Sequence, residues 1–114
     1  MLHPGPAKRV TIHLNEDASA RQDFLYSEIF SFLLAQGVAG ANLIRPEAGF
    51  GVHRRVRPSP HLPHEHLPVR IEFVESPETV ERLMPELCDL LTDGLIEAHD
   101  TIVYKAASRR EPPV

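Results

Sequence analysis

Between Pro68 and Leu87 the chain changes its hydrophobic period once, and that change limits the folds open to it more than any other feature. Val69, Ile71 and Phe73 alternate with Arg70 and Glu72, the two-residue period of a strand with one buried face. Pro68 is tolerable as the first residue of such a strand, where its missing N–H interrupts little. Ser76 then offers a hydroxyl oxygen to cap a helix, Pro77 fits the first turn, and Glu78 suits the positive end of the helix dipole. From there Val80, Leu83, Met84, Leu87, Leu90 and Leu91 fall on one helical stripe, which reads as core. Pro85 interrupts that stripe and is expected to kink the helix or divide it, because it removes one helical hydrogen bond.

The same two periods recur on either side. Val10, Ile12 and Leu14 alternate with Thr11 and His13, which predicts a strand over Arg9–Leu14. Leu25, Ile29, Phe32 and Leu33 share one face of a helix predicted over Phe24–Gln36, and Gly37 stands where a left-handed cap is common. Ala41–Arg45 is short and apolar enough for a second strand, ending at a bend by Pro46. Thr101–Lys105, with Ile102 and Tyr104 flanking Val103, reads as the last strand.

The order strand, helix, strand, long loop, strand, helix, strand is that of an α+β, ferredoxin-like βαββαβ fold: an antiparallel sheet with both helices on one face. The 114 residues suit one such domain over 9–105, with residues 1–8 and 106–114 expected as loose tails. The uncovered sheet face must be solvated or covered, and apolar residues on the last strand favour its covering by another subunit.

Several function classes fall away on charge and composition. The longest apolar stretch, Phe24–Val38, is broken by Ser27, Glu28, Ser31 and Gln36, so no membrane-inserted span is expected. Met1–Ala7 lacks a basic region leading into an apolar one, so a cytoplasmic location is expected. The net charge of −4 leaves no basic field for nucleic acid, and no recognition-helix pattern stands out. Charge is nevertheless uneven. Arg54, Arg55 and Arg57 cluster with His53, whereas the nine acids from Glu72 to Asp100 face only Arg82 and suggest a solvated acidic face. Cys88, the single cysteine, excludes an internal disulfide, and its place on the helix suggests a buried, structural thiol.

Ordered motifs carry a family resemblance over Arg9–Tyr104. Gly37-Val38-Ala39-Gly40-Ala41 is followed by Gly49-Phe50-Gly51, and Leu62–Pro68 is a leucine-containing loop ending in Leu-Pro. Glu75-Ser76-Pro77-Glu78, Leu83-Met84-Pro85-Glu86-Leu87 and Gly94-Leu95-Ile96 follow in sequence. Together they closely resemble an uncharacterised PII-like family, domain of unknown function one hundred and ninety. Before the first helix the chain departs from that pattern, with Gln22-Asp23-Phe24 where a Lys-Pro is usual.

The family in turn resembles the PII signalling proteins, and the resemblance implies a homotrimer that binds small effectors in clefts between subunits. It also implies a regulatory role, with an adenine nucleotide as effector and a membrane transporter or enzyme as partner. Gly49, Phe50 and Gly51 would form the base of a signalling loop between the second and third strands, where glycines let a ligand approach the backbone. Arg54, Arg55 and Arg57 follow, and guanidinium forks suit phosphate or carboxylate oxygens. After the second helix, where PII proteins carry a glycine-rich phosphate loop, this chain has only Gly94 in Asp93-Gly94-Leu95.

Two rival readings remain open at this point. His61, His64 and His66, with His53 nearby, could supply imidazoles to a divalent metal, giving a metal-responsive module. A ligand-free trimeric scaffold for a partner protein would use neither cluster. An enzyme is not expected: Ser59, Ser76 and Cys88 sit in no nucleophile motif, and His13 reads as a sheet-face residue.

Overall fold

The computed structural model describes residues 2–19, 24–46 and 68–107. Its elements run β1 (Gly5–Asn15), α1 (Leu25–Ala35), β2 (Asn42–Ile44), β3 (Pro68–Glu75), α2 (Pro77–Leu90) and β4 (Leu95–Val103). The four strands form one sheet in the order β2-β3-β1-β4, and every neighbouring pair is antiparallel. This is the ferredoxin-like arrangement, with β1 and β3 at the centre.

Register explains the core. Val10 pairs with Phe73, Ile12 with Ile71 and Leu14 with Val69, so the alternating residues of both central strands share one side. Leu25, Ile29 and Leu33 of α1 and Val80, Leu83 and Leu87 of α2 cover that side, and all twelve residues form one buried cluster. Fully burying an aliphatic side chain of this size stabilises the fold by about 1.5–3 kcal/mol, so this one face supplies most of the driving force.

The helix ends follow their residues. The Ser76 hydroxyl accepts from the Thr79 N–H at 3.2 Å at the start of α2. At the end of α1, Gly37 takes φ +78°, its N–H donates to the Leu34 carbonyl, and the Val38 N–H donates to that of Leu33. This pair of bonds is a Schellman cap. Helix α2 does not divide at Pro85: it is a single element from Pro77 to Leu90, with the proline on its exposed side. Cys88 is exposed rather than buried, because the buried line of α2 is Val80, Leu83 and Leu87, and the next residue is turned off it.

Both terminal strands differ from expectation. β1 starts at Gly5 rather than Arg9, and β4 starts at Leu95 rather than Thr101 and ends at Val103. The two pair with each other from Gly5–Val103 to His13–Leu95, while β3 joins β1 only from Lys8 onward. Residues 5–7 and 101–103 therefore form a two-stranded ribbon beyond the edge of β3. Of β4, only Ile96 packs against the core, and Ala98, Asp100 and Ile102 share its side but remain exposed. Alternation fades along β4 because the helices do not reach that edge.

The helix-free side of the sheet is polar at its centre, with Ile44 of β2 and Val74 of β3 as apolar residues on the same side. By register, β4 presents Glu97, His99 and Thr101 there, with Leu95 and Val103 only at its two ends. Opposite them stand Arg9, Thr11 and His13 of β1 and Arg70 and Glu72 of β3. No helix among the described residues is long and apolar enough to cross a membrane.

Candidate functional site

Gly49, Phe50, Gly51, Arg54, Arg55 and Arg57, and the alternative ligands His61, His64 and His66, lie outside the described residues. The structure does describe both shores of the segment that carries them. Pro46 follows β2 on one side, and Pro68 opens β3 on the other.

Pro68 lines a cleft of about 220 Å³ together with His13, Leu14 and Asn15 at the end of β1 and Asp93, Gly94 and Leu95 between α2 and β4. The cleft depends on a close approach of backbone to backbone. Gly94 has φ +145°, and a Cβ added to it would come within 3.0 Å of the His13 carbonyl oxygen. Only glycine lets the turn leaving α2 lie against the end of β1 in this way. The walls are largely apolar, which suits a flat ring, and Asp93 contributes no positive charge for a phosphate.

A second hollow of about 250 Å³ lies beside α1 and its turn, lined by Phe30, Leu33, Leu34 and Val38–Ala41. It contains no ionisable side chain, so it has no means of selecting a charged ligand. Its turn is fixed from below by Glu75, which is 3% exposed and accepts the Ala39 N–H at 2.8 Å. Glu75 thus leaves the solvated acidic face that its neighbours suggested, as does Glu72, which pairs with Arg70 at 3.2 Å and Arg9 at 4.0 Å.

Next to the first cleft, on the helix-free sheet face, Glu97 stands between two imidazoles. Its Oε1 accepts from His99 Nε2 at 2.6 Å, and its Oε2 lies 3.4 Å from His13 Nε2. His13 Nε2 is shielded from solvent and makes no hydrogen bond, lying 3.4 Å from the carboxylate. The His99 bond foremost, opposed by desolvation and aided by His13, holds the Glu97 carboxyl below its ordinary range. Lys8 and Asp100 pair at 2.5 Å between β1 and β4, just inside the ribbon; the hydrogen bond to Asp100 raises the lysine, and the same bond lowers the aspartate. No group of three or more His, Cys, Asp or Glu among the described residues is placed to hold a metal ion.

The sequence pointed to His13 as a sheet-face residue, which it is, and to Gly94 only as a remnant of a glycine-rich loop. Asn15, Pro68, Asp93 and Leu95 carry no site motif in the sequence. They come from three separated segments, and the one local signal is a glycine after a helix whose left-handed φ marks a required close approach.

Comparison with known proteins agrees with this architecture. Residues 7–103 match the model of family DUF190, described as "Uncharacterized ACR, COG1993". The chain is 31% identical over 100 residues to the UPF0166 protein MJ1524 of Methanocaldococcus jannaschii, covering 87% of this chain and 93% of that one. Among solved structures it is similar to CPII of Thiomonas intermedia K12, a nitrogen regulatory PII-like protein bound to ADP, AMP and bicarbonate. That likeness has a TM-score of 0.66 at 19% identity, covering 92% of this chain and 94% of that one. A putative PII-like signaling protein from Thermus thermophilus gives 0.65 at 18% identity, covering 88% of this chain and 91% of that one. Two likenesses at such low identity speak for the fold, whereas the family match spans most of the sequence: this chain belongs to the DUF190 family.

Proposed function

We propose that this chain is a PII-like regulatory protein, not an enzyme, which binds a small anionic effector and signals through the segment between β2 and β3. The observation that carries the reading is the position of the first cleft. It lies where that segment re-enters the sheet at Pro68 and where the α2–β4 turn, with Gly94, closes on the end of β1. A ligand seated there touches the root of the segment and can bias its shape. The apolar walls accept an adenine ring, and Arg54, Arg55 and Arg57 from the same segment supply the charge that the cleft lacks for phosphate. CPII, of the same fold, is bound to ADP and AMP, which supports an adenine nucleotide as the effector class. In this reading the chain works in the cytoplasm as a homotrimer with clefts between subunits, and its partner is a membrane transporter or an enzyme.

Isothermal calorimetry with ADP and AMP tests it. Binding by the intact chain, weakened at least tenfold in the Arg54→Ala/Arg55→Ala double variant, is the expected result. Absence of binding to ADP, AMP, cyclic nucleotides and bicarbonate refutes it. Zinc binding lost on replacing His61, His64 and His66 would put the metal-responsive module in its place.

A further inference from the structure

The sheet has two edges, and the chain guards only one of them. β2 is three residues long and runs straight into Arg45 and Pro46, a charge and a proline of the kind that keep other strands away. β4 runs nine residues, Leu95–Val103, without a proline, glycine, lysine or arginine. Its register with β1 is unbroken from Gly5–Val103 to His13–Leu95, so no bulge turns the edge aside. Among the described residues no strand pairs with its outer side. Leu95 and Ile102, near its two ends, are 55% and 62% exposed. An edge this long, unbulged and apolar at its ends is a template for another strand.

The order of residues along β4 says which strand fits it. About His99 the sequence is close to a palindrome of character, with Leu95-Ile96 on one side and Ile102-Val103 on the other. We propose that β4 pairs antiparallel with β4 of a second copy of this chain, about a twofold axis that passes between the two His99 residues and stands perpendicular to the sheet. Such an axis keeps the helices of both copies on one side of a continuous sheet. Leu95 then meets Val103 of the second copy, and Ile96 meets Ile102 of the second copy, at both ends of the contact by symmetry. Glu97 meets Thr101 of the second copy and Ala98 meets Asp100 of the second copy, so no two carboxylates stand directly opposite.

Charge and cover both suit this register. Each Glu97 lies diagonal to His99 of the other copy, within the reach of a long side chain. The two Asp100 residues are also diagonal neighbours, and each already carries the Lys8 ammonium at 2.5 Å. On the helix side Ala98, Asp100 and Ile102 are exposed, so no helix stands in the way of the second strand, and Ile102 of the second copy extends the apolar layer that Ile96 ends. A register two residues away in one direction sets Ile96 against Asp100 of the second copy, and in the other it sets Asp100 against itself.

The contact is twofold and stands independently of the homotrimer reading. It gives two copies on its own, and six where a threefold contact also holds. Sedimentation equilibrium of the intact chain is therefore expected to find two or six copies, with the mass halved in Ile102→Lys, a change at a side chain that the monomer leaves exposed. Two copies would sink the trimer and keep the β4 contact. One or three copies would overturn the contact and leave the edge to a strand of another protein, and an even assembly that Ile102→Lys leaves intact would overturn it as well. The register is tested without that variant. In a Cys88→Ser background, which removes the exposed native thiol, His99→Cys places two thiols directly opposite, where Cα atoms about 4.5–5.5 Å apart permit a disulfide. Thr101→Cys places them four residues apart along the strands, roughly 13 Å, too far to join. Mild oxidation should link His99→Cys into covalent dimers on a non-reducing gel and leave Thr101→Cys unlinked; no linkage at His99, or equal linkage at both positions, overturns the proposal.

Discussion

Replacing Gly94 by alanine gives the most direct measure of how the cleft is built. The new methyl group meets two separate penalties. The first is backbone strain: at φ +145° an L-residue sits in a region that side chains rarely adopt, at a cost of about 1–3 kcal/mol. The second is steric, because the added carbon falls within 3.0 Å of the His13 carbonyl oxygen and also crowds Leu91, so that the turn or the end of β1 must move. Forcing an extra methyl into a packed site typically costs about 1–3 kcal/mol. The sum, about 2–6 kcal/mol, is a large share of the roughly 5–15 kcal/mol that holds a domain of this size together. Gly37→Ala isolates the first penalty. Gly37 also has a positive φ, +78°, but an added carbon there meets nothing within 4 Å. Urea denaturation of the two variants beside the parent chain should show Gly94→Ala losing at least about 1 kcal/mol more than Gly37→Ala, the lower end of the overpacking range. Equal losses would show that the turn yields freely to the methyl group, and the close packing of Gly94 on His13 would then not be what shapes the cleft.

Three further outcomes follow from the same structure. Ser76→Ala removes the oxygen that accepts the Thr79 N–H and should destabilise the chain by about 1 kcal/mol, measured as a shift in denaturation midpoint with an unchanged slope. Glu75→Ala leaves the Ala39 N–H without its acceptor beneath the α1–β2 turn and should cost about 1–3 kcal/mol, whereas Glu75→Gln keeps an acceptor and should recover much of that loss. For Glu97 the pH dependence has a definite sign. Its folded-state carboxyl is held below the ordinary value of 4.5 by His99 first and by His13, so its contribution is present in full above pH 4.5 and is lost as pH falls through the lowered value. Between pH 6 and pH 3 the parent chain should lose more stability than Glu97→Gln, as read by urea midpoints; equal losses would mean that the imidazoles contribute nothing to the carboxylate.

The parts of the fold that sequence made legible are those where burial imposes a pattern. Val69, Ile71 and Phe73 alternate because helices cover one side of β3 and leave the other open, and Ser76-Pro77 marks the start of α2 by capping chemistry that is local in the chain. Where burial is partial the pattern thins. Leu95–Asp100 belongs to an edge strand that the helices barely reach, so its residues are not sorted by side and its start was placed six residues late, at Thr101 rather than Leu95. Gly5 and Pro6 argue locally against a strand, yet β3 ends at the Lys8–Glu75 pair, so a proline there has a ladder on one side only to disturb. Cys88 was misplaced for a related reason: one step past Leu87 rotates a helical residue by about 100°, enough to carry it from the buried line to solvent. The cleft was illegible because residues 13–15, 68 and 93–95 become neighbours only when the sheet is complete.

That completion has an order imposed by synthesis. In the sheet order β2-β3-β1-β4, the strand made first lies inside, and the strand made last closes its remaining edge. Until Leu95–Val103 has left the ribosome, β1 can pair with β3 alone, and its other row of N–H and C=O groups is open to any extended chain nearby. The pairing that ends this exposure joins Gly5 to Val103 and so spans nearly the whole chain, a contact of the kind that closes slowly because so long a loop must be gathered first. A nascent chain stalled just after α2 would therefore be helical and partly packed but adhesive along β1, and the last strand serves as much to silence that edge as to extend the sheet.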